Sequence, residues 1–407
     1  MIDLAGLDRR FARLAAEYRP RRTAAYGLVV RWEWYEDAAF DPRPLFYERN
    51  LSRPGRRLAE RPDPARDHVR LGFDADDRVV VGLEYNGFLG GRLSYESFRS
   101  CRPGLVEEAR FHADGRPVYL HEYRFAANRI RSAAMVATGG ASYETYDYTD
   151  DRVTRVENHY GQRQSEGLLP LVPFAVFDAT YDGSGLALLQ SSYPRGHTEV
   201  IYERPPTGFT PADAWRAVER ELLRRIPRAV RDLEVDGPAY CVALMYEDPA
   251  DPAGFTVHVG LDEDRRAAVA DGSDLDDLWS PADMAYETSV DLGAVTDTAR
   301  LLAQELGLAR SEAGRDLLRS MADTLGAAEW SAVLPTTEDF VVYAVDIEGH
   351  TSTTFPTALD HSRSWASYRD PNSSGGSRHG MPARYVNRSC RSAVAAFAVA
   401  LGPGGVR

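Results

Sequence analysis

The chain has 407 residues and a formal net charge of −13, which argues against a general nucleic-acid binder because phosphate affinity needs a concentrated basic face. All 48 basic residues are arginine, so Schiff-base chemistry on lysine and the lysine-bearing phosphate loop are both excluded. Hydrophobic content of 43% and charged content of 27% suit a soluble globular protein of two or three domains.

Three cysteines, Cys101, Cys241 and Cys390, stand far apart without C-x-x-C spacing, which fits a reducing compartment. The N-terminus lacks a basic region followed by an apolar core, and the apolar run 393–401 is too short to span a bilayer. These features predict a cytoplasmic protein with no membrane association.

Leu4, Leu7, Phe11, Leu14 and Tyr18 recur at three- and four-residue steps, predicting a helix over 3–18 that Asp3 caps and Pro20 ends. Arg19, Arg21 and Arg22 then read as a solvated helix end. From about residue 26 the period becomes two: Val30, Trp32 and Trp34 alternate with Arg31 and Glu33, as in a half-buried strand.

Residues 70–204 carry a weak internal repeat. Phe73-Asp74-Ala75-Asp76-Asp77-Arg78 aligns with Phe111-His112-Ala113-Asp114-Gly115-Arg116 and, less fully, with Tyr148-Thr149-Asp150-Asp151-Arg152 and Tyr181-Asp182-Gly183-Ser184-Gly185. Asp-Asp and Asp-Gly tolerate the left-handed backbone of tight hairpins. His121 and His159 fall at equivalent repeat positions, which suggests packing on a sheet face rather than metal ligation. The segment resembles the YD repeats of Rhs proteins, which are stacked antiparallel hairpins; an ordinary meander of hairpins is the alternative.

Pro205-Pro206-Thr207-Gly208 marks a boundary, and Thr210-Pro211-Ala212-Asp213 is a helix start with Trp215, Val218, Leu222 and Ile226 as its buried stripe. Strands follow at 240–246 and 255–261, helices at 295–308 and 312–325, and a last strand at 340–346. The predicted fold class is α+β, in four parts: an N-terminal helix at 1–25, an antiparallel β-hairpin domain at 26–205, an α+β domain at 208–368 and a flexible tail at 369–407.

Between the second strand and the next helix lies an acidic loop, with Asp262-Glu263-Asp264 followed by Asp271-Gly272-Ser273-Asp274-Leu275-Asp276-Asp277. Leu275 occupies the position where a calcium loop needs an oxygen ligand, so the segment reads as solvated acid able to meet a basic partner. Trp279-Ser280-Pro281-Ala282-Asp283-Met284-Ala285-Tyr286-Glu287 comes next, read as a turn leading into a helix that Asp283 caps.

That block resembles the W-S-P-A-[DE]-W-x-x-E block of an uncharacterised bacterial family, domain of unknown function 4303, over roughly residues 208–350, with Met284 in place of its second tryptophan. Members look like immunity or partner-binding proteins, so the resemblance implies a non-catalytic protein that neutralises a toxin domain. The expected partner-binding residues are Asp274, Asp276, Asp277 and Trp279, carboxylates rimming an aromatic anchor. A competing expectation is a hydrolase or metal-dependent enzyme using Asp346, Glu348 and His350, which alternate on one strand face. A small-molecule-binding scaffold is a third. The histidines show no H-E-x-x-H or H-x-H spacing and no G-x-S-x-G elbow appears, so no metal, cofactor or catalytic set is assigned.

Overall fold

The first helix runs further than its sequence suggests. The computed structural model describes residues 3–36, 40–165, 167–248, 250–251, 253–272, 279–309 and 313–346, with Asp346 as backbone alone. Helix α1, Leu4–Leu28, starts where the Asp3 carboxylate accepts from the Gly6 amide at 2.8 Å, and continues straight through Pro20. An interior proline removes one hydrogen bond and costs about 3 kcal/mol. Contacts on either side of it outweigh that: Tyr18 donates to Glu96 at 2.6 Å before the proline, and beyond it Arg21 donates to Glu107 at 2.8 Å and Tyr26 to Glu96 at 3.1 Å. Arg22 also pairs with Glu96, so two of the three arginines expected in solvent are bound to the sheet.

The chain divides between Arg204 and Pro205 into two compact units. In the first, strands β1 (Arg31–Glu36), β2 (Arg57–Leu58), β3 (His68–Phe73), β4 (Val79–Asn86) and β5 (Arg92–Arg102) open a meander. It continues through β6 (Leu105–His112), β7 (Pro117–Ala126), β8 (Arg129–Ala137), β9 (Gly140–Thr149) and β10 (Arg152–Gln164). Strands β11 (Gly167–Leu168), β12 (Val172–Asp182), β13 (Gly185–Ser192) and β14 (Thr198–Glu203) complete a 14-stranded sheet. Neighbours in sequence are neighbours in space, except that β1 lies between β3 and β2, and β11 pairs β10 off the main path.

Three of the repeated aspartates build their hairpins by one device. Asp74 accepts from the amides of Asp76 and Arg78, Asp114 from that of Arg116, and Asp182 from that of Ser184. Asp77 and Asp150 take the left-handed backbone, with φ of 59° and 54°. These hairpins join β3 to β4, β6 to β7, β9 to β10 and β12 to β13. Three strands separate the first turn from the second, and three the second from the third, so those turns fall at alternating ends of the sheet.

Pleating divides the side chains between two faces. On one, Leu7, Phe11 and Leu14 of α1 pack with Phe98, Ala109, Phe111, Leu120, Ala134 and Val136. The same face carries Glu96, Glu107 and Glu122, each almost fully buried. Glu107 and Glu122 are direct cross-strand partners, an arrangement that repels unless bridged. Arg10 supplies the bridge, bonding Glu107 with one nitrogen and Glu122 with the other at 2.6 Å.

The second unit places α3 (Pro211–Arg231) first, with Thr210 accepting from the Asp213 amide at 3.1 Å as its cap. Strands β15 (Ala239–Tyr246), β16 (Phe255–Leu261), β17 (Tyr286–Ser289) and β18 (Thr336–Asp346) form a sheet in the order β17-β16-β15-β18. Only the β15–β18 pairing is parallel. Helices α5 (Thr296–Leu308) and α6 (Ala313–Gly326) join α3 over one face, where Val218, Leu222, Ile226, Leu302, Leu317 and Met321 meet Val242, Leu244 and Val257. The protein is therefore α+β, a large antiparallel sheet followed by a smaller mixed sheet with helices.

Two local expectations are corrected. Asp262-Glu263-Asp264 is not a loop but the first turn of α4 (Asp262–Asp271), where acidic side chains favour the positive helix end, and Gly272 closes the helix with φ of 70°. The segment after Trp279 is not a helix: Pro281–Asp283 makes a single 3-10 turn and the chain then enters β17. Pairing with β16, Tyr286 opposite Val259 and Thr288 opposite Val257, extends the backbone that Asp283 would otherwise have capped. The expected tail at 369–407, and residues 347–368 before it, lie outside the described residues. Among the described residues no helix is long and apolar enough to cross a membrane.

The Arg10 bridge predicts that Arg10→Met lowers unfolding free energy by about 2 kcal/mol, less than for a stranded buried charge because Arg21 still holds Glu107 and Arg124 still holds Glu122. Adding Glu107→Gln and Glu122→Gln should recover much of that loss. Denaturant titration reads both, and an unchanged midpoint for Arg10→Met would remove the bridge from the account.

Candidate functional site

The face of the large sheet opposite α1 combines a smaller apolar cluster, Tyr123, Ile130, Tyr146 and Val156, with a set of buried charges. Between β1 and β2 the chain crosses this face as a strap, described from Phe40 onward, that carries helix α2 (Phe46–Arg49) and reaches β14. Beneath it Arg99, Glu108 and His121 stand opposite one another on β5, β6 and β7. Glu144 lies across β8 from Tyr123.

The strap docks through three arginine contacts. Arg49 holds both oxygens of Glu144 at 3.0 and 3.2 Å, Arg43 bonds Asp41 at 2.7 Å and approaches Glu144 at 3.8 Å, and the ring of Phe40 lies 4.3 Å from the Arg99 guanidinium. Arg99 in turn bonds Glu108 at 2.5 Å, and Tyr119 donates to Glu108 at 2.6 Å. Three guanidinium groups face three carboxylates, so the cluster is neutral as a set, although among the described residues the Arg99 Nη1 is buried with no partner.

Burial alone would raise the Glu144 carboxyl, but Arg49 and Arg43 override it and hold the group down at about 2. Glu108 is likewise lowered against its burial, by Arg99 and the Tyr119 hydroxyl. His121 goes the other way: burial, reinforced by Arg43, lowers it to about 4 despite Asp41, Glu108 and Glu144 nearby. Its Nδ1 shares a hydrogen bond with the Tyr123 hydroxyl at 2.9 Å, and the two rings stack at 4.2 Å. The imidazole is thus a neutral member of an ion-paired network, suited to hydrogen bonding rather than to carrying charge.

His121 packs on a sheet face, with 5% exposure. His159 does not share that face. It stands opposite Tyr143, which packs with the α1 cluster, whereas the register carries His121 through Met135 and Ser142 to Tyr160, the next residue along and on the other face. Arg43, Arg49, Glu108 and Glu144 were not singled out from sequence. The available signal was the alternation Tyr119-x-His121-x-Tyr123 and Glu144-x-Tyr146-x-Tyr148, polar and aromatic groups on a face where a solvent-facing strand would carry simple polar residues.

Of the residues expected to bind a partner, Asp274, Asp276 and Asp277 lie outside the described residues. Trp279 is half-buried on the face of the small sheet opposite α3, edge-on to Tyr240 at 5.3 Å and Tyr343 at 5.9 Å. Its carbonyl accepts from the Tyr343 hydroxyl at 2.9 Å, and Met284 packs with the same cluster. Cys241 sits beneath, its thiol pushed up to about 12 by burial. Of the competing set, Asp346 ends β18 while Glu348 and His350 lie outside the described residues. Among the described residues no group of three or more His, Cys, Asp or Glu could hold a metal ion. Compared with known proteins, the chain matches no family profile and shows no significant similarity to a curated protein.

The neutral His121 makes stability depend on pH. An unfolded histidine protonates near 6.5, so as pH falls from about 6.5 toward about 4 the unfolded state takes up the proton first and the fold weakens, by about 3 kcal/mol at most. His121→Gln should flatten the slope of unfolding free energy against pH between 7 and 5. His112 and His258 are also lowered by burial, so the slope should shrink rather than vanish. An identical pH profile for the variant would show that His121 is not buried in this network.

Proposed function

We propose that this protein binds another protein without catalysing a reaction, and that its partner is a toxin domain which it neutralises. The observation that carries this reading is helix α4. None of its ten residues is buried. Helices of this length normally owe their stability to an apolar face packed on the domain. Here the attachment is electrostatic: Arg265 bonds Asp262 at 2.6 Å and Asp339 of β18 at 2.6 Å, and lies 5.1 Å from the Tyr240 ring.

What α4 leaves outward is mostly acidic: Glu263, Asp264 and Asp271 are exposed beside Arg266, Ala267 and Ala270, and Val269 is 58% exposed. The helix leads into the acidic segment that ends at Trp279. A net charge of −13 suits a basic partner, and the resemblance of the tryptophan block to a family of partner-binding proteins points the same way. The proposed binding face is Asp274, Asp276, Asp277 and Trp279 together with the outer side of α4.

Trp279 also packs on Tyr240 and Tyr343, so its removal would disturb the fold and the aspartates give the cleaner test. Replacing Asp274, Asp276 and Asp277 with asparagine should slow association with the protein encoded beside this gene by roughly tenfold at low salt, through lost electrostatic steering. The melting temperature should hardly move, because exposed charges contribute little. An unchanged association rate, measured by stopped flow or surface binding against that partner, would sink the assignment of this face.

A further inference from the structure

We infer that the Glu144 pocket is a guanidinium-binding site, filled in this structure by Arg49 of the same chain and open to an arginine side chain of another protein when the strap withdraws. The pocket has the parts such recognition requires. Glu144 presents both oxygens to one guanidinium, Tyr146 donates to the carboxylate, and Asn158 donates to it at 3.4 Å. The Phe177 ring lies 5.1 Å from the Arg49 guanidinium carbon, a cation–π contact completing the cradle.

Arg49 fills this site incompletely. Its own nitrogens are met, the Nε by the Leu45 carbonyl at 3.3 Å, but among the described residues the Oδ1 of Asn158 is buried with no partner. At the other end of the strap, under Phe40, the Arg99 Nη1 is buried without a partner among the described residues, on a side chain 9% exposed. A covering segment selected to seal this face permanently would meet such groups, since an unmet buried donor or acceptor is costly. The strap is also strained where it would have to hinge. Leu45 and Leu51, on either side of α2, hold φ of 57° and 42°, a region bulky residues avoid. No residue of α2 is buried, so the segment is held by Arg49 together with Arg43, the Phe40 contact on Arg99 and the packing of Leu45. The strap is therefore a tethered ligand, and an arginine from outside that also satisfies Asn158 competes with it on equal chemistry.

The test uses the full chain carrying Arg49→Ala, melted with millimolar methylguanidinium chloride or methylammonium chloride at matched ionic strength. Methylguanidinium should raise the melting temperature of the variant by a few degrees through binding to the vacated pocket, and methylammonium should not. Wild type and the double variant Arg49→Ala with Glu144→Gln should show no rise. No rise in Arg49→Ala, or an equal rise in either control, overturns the site. Free arginine and the capped peptide acetyl-Gly-Arg-Gly-amide are then compared on the same variant. A larger rise with the peptide supports a protein arginine as the occupant, and a larger rise with the free amino acid overturns that choice. If Arg49→Ala does not fold, amide hydrogen exchange on the wild-type chain replaces the melt. Exchange at 45–51 that quickens with the arginine peptide, but not with its lysine counterpart, supports displacement of the strap; unchanged exchange overturns it.

Discussion

Carboxylates buried on both faces of one sheet are the constraint from which the first unit follows. Glu96, Glu107 and Glu122 lie on one face, Glu108 and Glu144 on the other, and each is almost fully buried. An unpaired buried carboxylate is strongly destabilising, so each face requires cations delivered to fixed points. Helix α1 delivers Arg10, Arg21 and Arg22 to the first face, and the strap delivers Arg43 and Arg49 to the second. Both covering elements are therefore placed by charge in register with the strands as much as by apolar packing. This explains why α1 can absorb a central proline and still extend to Leu28.

The two faces use that logic differently. Under α1 the charges sit beside a continuous apolar patch, in which Leu7 and Leu14 are fully buried, and burial of each such side chain is worth about 2 kcal/mol. That layer is held twice over. Under the strap the apolar share is smaller, with Leu45 packing at the edge of a cluster formed by Tyr123, Ile130, Tyr146 and Val156. Ion pairs there carry more of the attachment. A buried ion pair adds little net stability compared with apolar packing but fixes geometry. The strap face is consequently the more specific and the less firmly sealed of the two.

What could be read from the sequence was local. The cap at Thr210, the proline after it and the stripe Val218, Leu222 and Ile226 are contained within one helix, and the structure repeats them. The aspartate hairpins are also local, because Asp74, Asp114 and Asp182 bond amides two to four residues away. The errors came where a distant partner decided the outcome. Pro20 ends a helix only if nothing beyond it is anchored, and the residues that anchor it are 70 or more positions away on β5 and β6. The stretch after Asp283 would start a helix in isolation, yet β16 offers an edge to pair with and β17 forms instead. Glu144 and Arg49 lie 95 residues apart, and nothing in their immediate surroundings marks them as partners.

The all-arginine composition ties these observations together. A lysine at position 10 would be a single point charge and could not hold Glu107 with one nitrogen while holding Glu122 with another, as the planar guanidinium does. The same fork lets Arg49 take both oxygens of Glu144, and lets Arg265 join Asp262 of α4 to Asp339 of β18. In each case two carboxylate contacts from different parts of the structure, or two oxygens of one carboxylate, meet on one rigid plane. Arginine is also weakly hydrated and stacks on aromatic rings, so its burial against Phe40, Phe177 and Tyr240 costs less than burial of an ammonium group. The composition that excludes lysine chemistry therefore supplies the bidentate clamps on which the sheet, the strap and the exposed helix α4 all depend.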